Sequence, residues 1–304
     1  MKKRWLINLI LLSLVAGLVA FLYLRPKAEV IKDDRVELTH FKLADFNGIS
    51  VEHPTKAAVT LAKVDGFWRL TAPYKTRADK ETVSRIISII AAKSSVKVAI
   101  NPESRADLDK FGLNNPSLKL KLIRPDASFA EFDFGGHNNI TDEQYVLHDN
   151  AVYLIANNYQ EVALTQPIEL IDKNMIKPTE KIVGFDFSHM EVWAETKMNL
   201  DLVAGQWKVN VANAKPNQSE ISEWIEFSWL KNPAESVDFY PSSSRETYAS
   251  FEVKMADGTK VHFDRIQESP EVILGRPDEG LSYHFKADVG FNLMNPPVNL
   301  PAKK

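Results

Sequence analysis

The chain has no cysteine among its 304 residues. That excludes disulfides, thiolate chemistry, sulfur-ligated zinc and attachment through a lipidated cysteine. The histidines are scattered: His40, His53, His137, His148, His189, His262 and His284 form neither an HExxH motif nor a close His/Asp pair of the zinc-binding kind. A G-x-S-x-G elbow is missing, and no helix follows Gly135-Gly136 at the spacing of a phosphate-binding fingerprint. Ser94-Ser95-Val96-Lys97 fits the S-x-x-K pattern of acyl-enzymes, but the Ser-Asp-Asn and Lys-Thr-Gly partners are absent. His137-Asn138-Asn139 reads as a turn, because Gly and Asn supply positive-φ positions. Acidic pairs such as Asp33-Asp34 and Asp142-Glu143 read as solvated surface. These gaps predict no metal, no cofactor and no catalytic residue, so an enzyme is the least favoured class.

An excess of positive charge is lacking as well. The chain holds 37 Lys+Arg and 40 Asp+Glu, net −3. Residues 1–27 take five of those basic residues and no acidic one, which leaves the remainder at a formal −8. An acidic body argues against nucleic acid and against docking on an anionic membrane surface.

What the chain does have is one long apolar run. Lys2, Lys3 and Arg4 precede a stretch from Trp5 to Leu24 without a charged side chain, and Arg25, Pro26 and Lys27 close it. About 20 apolar residues at 1.5 Å rise suffice to span a bilayer core. A cleaved signal peptide has an apolar region of about 7–15 residues and a small-x-small cleavage site. Here the run is longer and ends in Phe21-Leu22-Tyr23-Leu24, so an uncleaved anchor is expected, in contact with lipid over residues 5–24. Asn8 and Ser13 fit inside it, Ser13 by bonding back to its own helix. The basic residues ahead of the span favour a cytoplasmic N-terminus and an extracytoplasmic body in a bacterial inner membrane.

The body reads as a duplication. A tight turn and a tryptophan strand open each half: Asp65-Gly66-Phe67-Trp68-Arg69-Leu70 and Ala204-Gly205-Gln206-Trp207-Lys208-Val209. A capped amphipathic helix follows each. In the first, Asp79 is the cap and Val83, Ile86, Ile87 and Ile90 form the stripe. In the second, Asn217 and Glu220 resemble a capping box before Ile221, Trp224 and Ile225. Alternating strands come next, 118–123 with 129–134 and 250–255 with 260–264, each with one buried and one wet face. Further strand-like pieces cover 145–155 and 271–285. The fold class expected is α+β: a transmembrane helix, then two pseudo-repeated units of antiparallel sheet, each with a covering helix. The boundaries expected are 1–27 for the anchor, 28–166 and 180–294 for the repeats, and 295–304 for an extended Pro-rich tail. Asn101-Pro102 is expected to start a short helix that stops at Gly112.

Several of these motifs carry a resemblance. Gly66-Phe67-Trp68-Arg69-Leu70 with Pro73, Ala78-Asp79 before the helix, and Phe111-Gly112-Leu113 with Pro116 resemble a bacterial domain of unknown function, well over residues 58–165 and more loosely in the second half, as tandem copies. That resemblance implies a membrane-anchored envelope protein, since some members are encoded beside gliding-motility-type ABC transporters. It implies an envelope or transporter partner and transfers no catalytic residue.

Six tryptophans complete the reading. Trp5 is an interface anchor, Trp68 and Trp207 are repeat-related core residues, and Trp193 lies in a strand-like run. Trp224 and Trp229 are five residues apart, hence on different faces of an α-helix, and with Phe227 they make the second helix apolar nearly all round. Such a helix is buried between the halves, or Trp224, Phe227 and Trp229 form a partner surface. The functional expectation is an anchored interaction protein of the envelope, associated with a transporter complex. The alternative is a module binding a glycan, lipid or peptide in the groove between the repeats, marked by exposed aromatics there.

Overall fold

The computed structural model describes residues 2–24, 34–101, 105–241 and 247–299. The chain divides into two units, residues 1–35 and 36–304. The first is the helix Lys2–Leu24, about 35 Å long at the α-helical rise. The Ser13 hydroxyl donates to the Leu9 carbonyl at 3.0 Å, the back-bond expected of it. Among the described residues no helix is long and apolar enough to cross a membrane. Leu6, Ile7, Ile10 and Leu22, which carry part of the run's apolarity, have side chains outside the described set, as do Arg25 and Lys27 entirely. The expected anchor therefore rests on the sequence alone.

The second unit holds two large antiparallel sheets, beside a two-stranded one formed by Val36–Glu37 and Lys93–Ser94. The first has nine strands in the order Thr76–Arg77, Phe67–Ala72, Lys56–Val64, Gly48–His53, Leu118–Ile123, Phe129–Asn138, Glu143–His148, Ala151–Ala156, Lys97–Ala99. The second has eight: Gln206–Val209, Asn199–Val203, Ile182–Asp186, Ala249–Met255, Lys260–Gln267, Glu271–Arg276, Leu281–Lys286, Ser236–Phe239. From the tryptophan strand onward the two orders are the same. The helix, Lys80–Ile87 or Gln218–Trp224, connects the tryptophan strand to the far edge in each. Hairpin turns repeat too: Asp65-Gly66 and Ala204-Gly205 both take positive φ at both central positions, the conformation that matches the twist of the flanking strands. Each sheet has two strands ahead of the tryptophan strand and a short edge strand behind the helix, beyond the expected pattern. A closing helix, Asn158–Ala163 or Ala287–Met294, also follows each last strand.

Alternation decides the cores. In Leu118–Ile123 every second residue is buried, and Leu118 and Leu120 pair across to Phe134 and Phe132. Val83, Ile86, Ile87 and Ile90 press the first helix onto that face. Asp79 caps this helix, its Oδ1 accepting from Thr82 N at 2.7 Å. Asn217 caps the second, accepting from Ser219 N and Glu220 N.

Local detail departs from expectation at Trp193 and at His137-Asn138-Asn139, where the strand Phe129–Asn138 runs on and the turn falls at 139–142. Trp193 sits in a 3-10 turn, not a strand, because its indole N–H reaches the Met294 carbonyl at 3.2 Å. In the Pro-rich 295–304 segment Val298 is buried in the second core, and residues 300–304 lie outside the described set. The described part of the helix before Gly112 is Arg105–Asp109, and Pro102 lies outside. Gly135 belongs to a strand, and a Cβ there would stand 2.3 Å from the Phe111 carbonyl oxygen; its hydrogen lets the 111–113 turn lie directly on the sheet.

The largest correction concerns the second helix. After Gln218–Trp224 the chain continues as a π-helix, Ile225–Leu230, closed by Lys231 N donating to Glu226 O at 2.9 Å. Hydrogen bonds spanning five residues widen the turn. Residues five apart then face the same way, and Trp224 and Trp229 meet with ring centroids 6.2 Å apart. Both pack on Phe185, and Trp229 also touches Phe251 and Phe263. They are 8% and 2% exposed, inside the second sheet's own core rather than between the halves.

Candidate functional site

A groove of about 1520 Å³ lies between the two large sheets. Three segments line it. The first is the Lys63–Arg69 hairpin tip with the start of the helix Lys80–Ile87. Register places Lys63 opposite Trp68, and Arg69 opposite Arg77. The second is the connector between the halves. Its turn Pro167–Leu170 is tied to the first half by Asp79 N to Leu170 O at 2.8 Å, an Ala78–Ile171 bridge, and Asp172 N to Arg77 O at 3.1 Å. The third is Lys231–Val237 of the second half, joined to the connector by Ala234 N to Lys173 O at 2.9 Å and Lys173 Nζ to Glu235 O at 2.8 Å.

Charge joins the sheets, beside an edge-on contact of Tyr74 with Phe239 at 4.6 Å between ring centroids. Arg77, from the first sheet, grips Glu279 with two hydrogen bonds of 3.0 Å. It also donates to Asp172, to the Asn174 carbonyl at 2.6 Å and to the Tyr283 hydroxyl at 3.2 Å. Arg276, fully buried, binds Glu180 and Asp278 and donates to the Met175 carbonyl. Lys177 stands 3.5 Å from both Glu180 and Glu279. Burial would raise the Glu279 carboxyl, but the Arg77 bonds and charge, with Arg276, outweigh it and hold it below the ordinary range. Burial acts likewise on Asp278 and is outweighed by Arg276 and Lys177. The Tyr283 phenol is pushed up by burial and by the Glu279 charge. These groups are engaged with one another and tie the halves together.

Other cations line the groove without a carboxylate partner: Lys63, Arg69, Lys80 and Arg85, all exposed, and Lys173, half-buried. Phe67 is 44% exposed at the hairpin tip, and Trp68 beside it is half-buried. Trp207, its repeat counterpart, is buried as expected; Trp68 is the exception because it borders this groove.

The expected partner trio divides. Trp224 and Trp229 are core, so neither can meet a partner without unfolding the helix; only Phe227, 59% exposed, is available. Lys231 lies 5.3 Å from its ring. None of the three lines the groove. Trp224 donates its indole N–H to the Asn292 carbonyl at 2.6 Å, while the Trp229 N–H has no partner.

Elsewhere the structure makes pairs that spacing did not suggest. His262 and Asp264, on one face of a strand, come to 3.0 Å, and the Tyr240 hydroxyl donates to the other Asp264 oxygen at 2.7 Å. Burial and that bond push the Tyr240 phenol up to about 12. His137, exposed near the end of the strand Phe129–Asn138, bonds Asn139 and Asp142 of the turn that follows. Ser94 is buried and its hydroxyl bonds the backbones of Val96 and Leu154, which accounts for it structurally. No group of three or more metal-ligating side chains occurs among the described residues.

A family model described as "Domain of unknown function (DUF4340)" matches residues 68–269. The chain belongs to this family. The DUF4340 span begins at Trp68 on the groove, crosses the connector and ends after the strand Lys260–Gln267, so it takes in strands of both sheets and the groove between them. No curated protein and no solved structure matches the chain.

Nothing in the sequence marked the groove cations as a set. The hairpin tip was visible as a repeat feature, but its apposition to Lys173 and Lys231 depends on how the connector folds back.

Proposed function

We infer that this chain is an interaction protein of the bacterial cell envelope, anchored by residues 5–24 with its body outside the inner membrane, and that the body holds another envelope component in the groove between its sheets. The observation that carries this reading is the groove itself. It is wide, lined from both halves, and bordered by the exposed ring of Phe67. Supporting it are the uncharged stretch Trp5–Leu24 and the full engagement of Arg77, Arg276 and Glu279 in holding the halves together. Anchoring raises the local concentration of the body near membrane partners and offsets modest contact affinity. The reading assigns the body binding and no reaction.

Photo-crosslinking in cells tests it. A crosslinking amino acid at Phe67 is expected to trap a discrete partner, and one at Phe129, an exposed residue outside the groove lining, is not. Equal trapping at both, or at neither, would refute the groove assignment. Since the chain has no cysteine, Ile140→Cys in the exposed 139–142 turn gives a clean topology probe. Labelling by an impermeant maleimide in spheroplasts is expected, and protection until lysis would place the body inside.

A further inference from the structure

Resting on the reading of the groove as a binding site, we propose that its occupant is an extended acidic peptide segment with interspersed apolar side chains. The body as a whole is acidic, yet the groove collects Lys63, Arg69, Lys80, Arg85 and Lys173, none of them ion-paired. Arg77 adds no charge to this set, because Asp172 and Glu279 neutralise it. An unpaired cation in a concave surface attracts anions more strongly than one on a flat face, because the low-dielectric sides focus its field.

The remaining lining argues for a peptide over other anions. Val64, Phe67 and Ile168 give apolar contact beside the cations, a mixture that suits the alternating side chains of an extended peptide. Asp65, Asp79, Glu81 and Glu169 also line the groove without ion pairs, Asp79 as the cap of the helix Lys80–Ile87. They would repel a uniform polyanion but can meet an occasional basic side chain, and mixed-sign complementarity of this kind sets register in peptide recognition. A lipid tail needs a continuous apolar cavity, and here charged side chains such as Arg69, Lys80 and Lys173 interrupt the apolar surface of the groove.

The test uses full-length protein in mild detergent and a fluorescent twelve-residue peptide alternating Glu and Leu, followed by anisotropy. The Glu-Leu peptide is expected to bind, with affinity falling as salt screens the charges, and a Lys-Leu peptide is expected not to. Lys63→Glu combined with Lys80→Glu should weaken binding about tenfold or more, since like charges replace attractive ones. Both positions are exposed, and circular dichroism checks that the variant folds. Phe67→Ala should weaken it as well. Equal binding of the Lys-Leu peptide, an unchanged double variant, or tighter binding of poly-glutamate or of phosphatidylglycerol vesicles than of the Glu-Leu peptide would each overturn the proposal. Crosslinking at Phe67 without binding of the Glu-Leu peptide would reject the acidic class and leave the groove reading standing. Loss of both would reject both.

Discussion

Arg77 and Glu279, 202 residues apart, form a two-pronged ion pair that fastens the first sheet to the second. Both side chains are at most a tenth exposed. A buried pair of this kind is weak evidence for added stability, because desolvation offsets attraction, but removing one partner strands the other charge. Its present geometry sets how the halves meet and therefore how wide the groove is.

Arg77→Ala is expected to cost about 3–5 kcal/mol, and Glu279→Ala a similar amount. The double variant should cost less than their sum, because the second substitution removes a charge already stranded. Urea denaturation of the four proteins measures the cycle. Additive losses would mean that the pair does not act as a unit.

The same cluster predicts acid sensitivity. Glu279 and Asp278 sit below their ordinary values of 4.5 and 3.8 in the folded protein. Their contribution is complete above those values and is lost as pH falls through the lower folded ones. Asp133 runs the other way: burial raises it, against the opposing pull of Lys119, so protonation relieves it and offsets part of the loss. Denaturant midpoints should therefore hold steady at neutral pH and drop below 4.5. Glu279→Gln should start from a lower midpoint and fall less steeply. A parallel fall in both proteins would assign the acid loss elsewhere.

Trp229 and Phe227 should behave oppositely. Trp229→Ala empties the centre of the second core and is expected to cost about 3–5 kcal/mol. Phe227→Ala is expected to stay within about 0.5 kcal/mol, as at other surface positions. Thermal melts decide the matter. A stable, folded Trp229→Ala protein would contradict the packing on Phe185, Phe251 and Phe263.

Much of the architecture was legible in one dimension. Alternation in 118–134 and 250–264 marks hairpins, since side chains switch faces at every residue. The Asp65-Gly66 and Ala204-Gly205 turns mark the repeat, since few residues accept positive φ. Asp79 and Asn217 mark helix starts, since their side chains cap free backbone N–H groups. Other features were legible only loosely. The strands Gly48–His53 and Ile182–Asp186 each take one partner far along the chain, Leu118–Ile123 and Ala249–Met255, and the closing helices Asn158–Ala163 and Ala287–Met294 are short and only partly apolar.

The sequence by itself determined the uncharged N-terminal stretch, the absence of thiol chemistry, the acidic balance and the duplicated α+β plan, because each follows from composition or from periods of two and about 3.6 residues. The tertiary structure alone decided which tryptophans are core and where the site lies. A π-turn, invisible to an α-helical period, brought Trp224 and Trp229 together. Long-range ion pairs set Arg77 against Glu279, and with them the groove that gathers Lys63, Lys80 and Lys173 from segments distant in the chain.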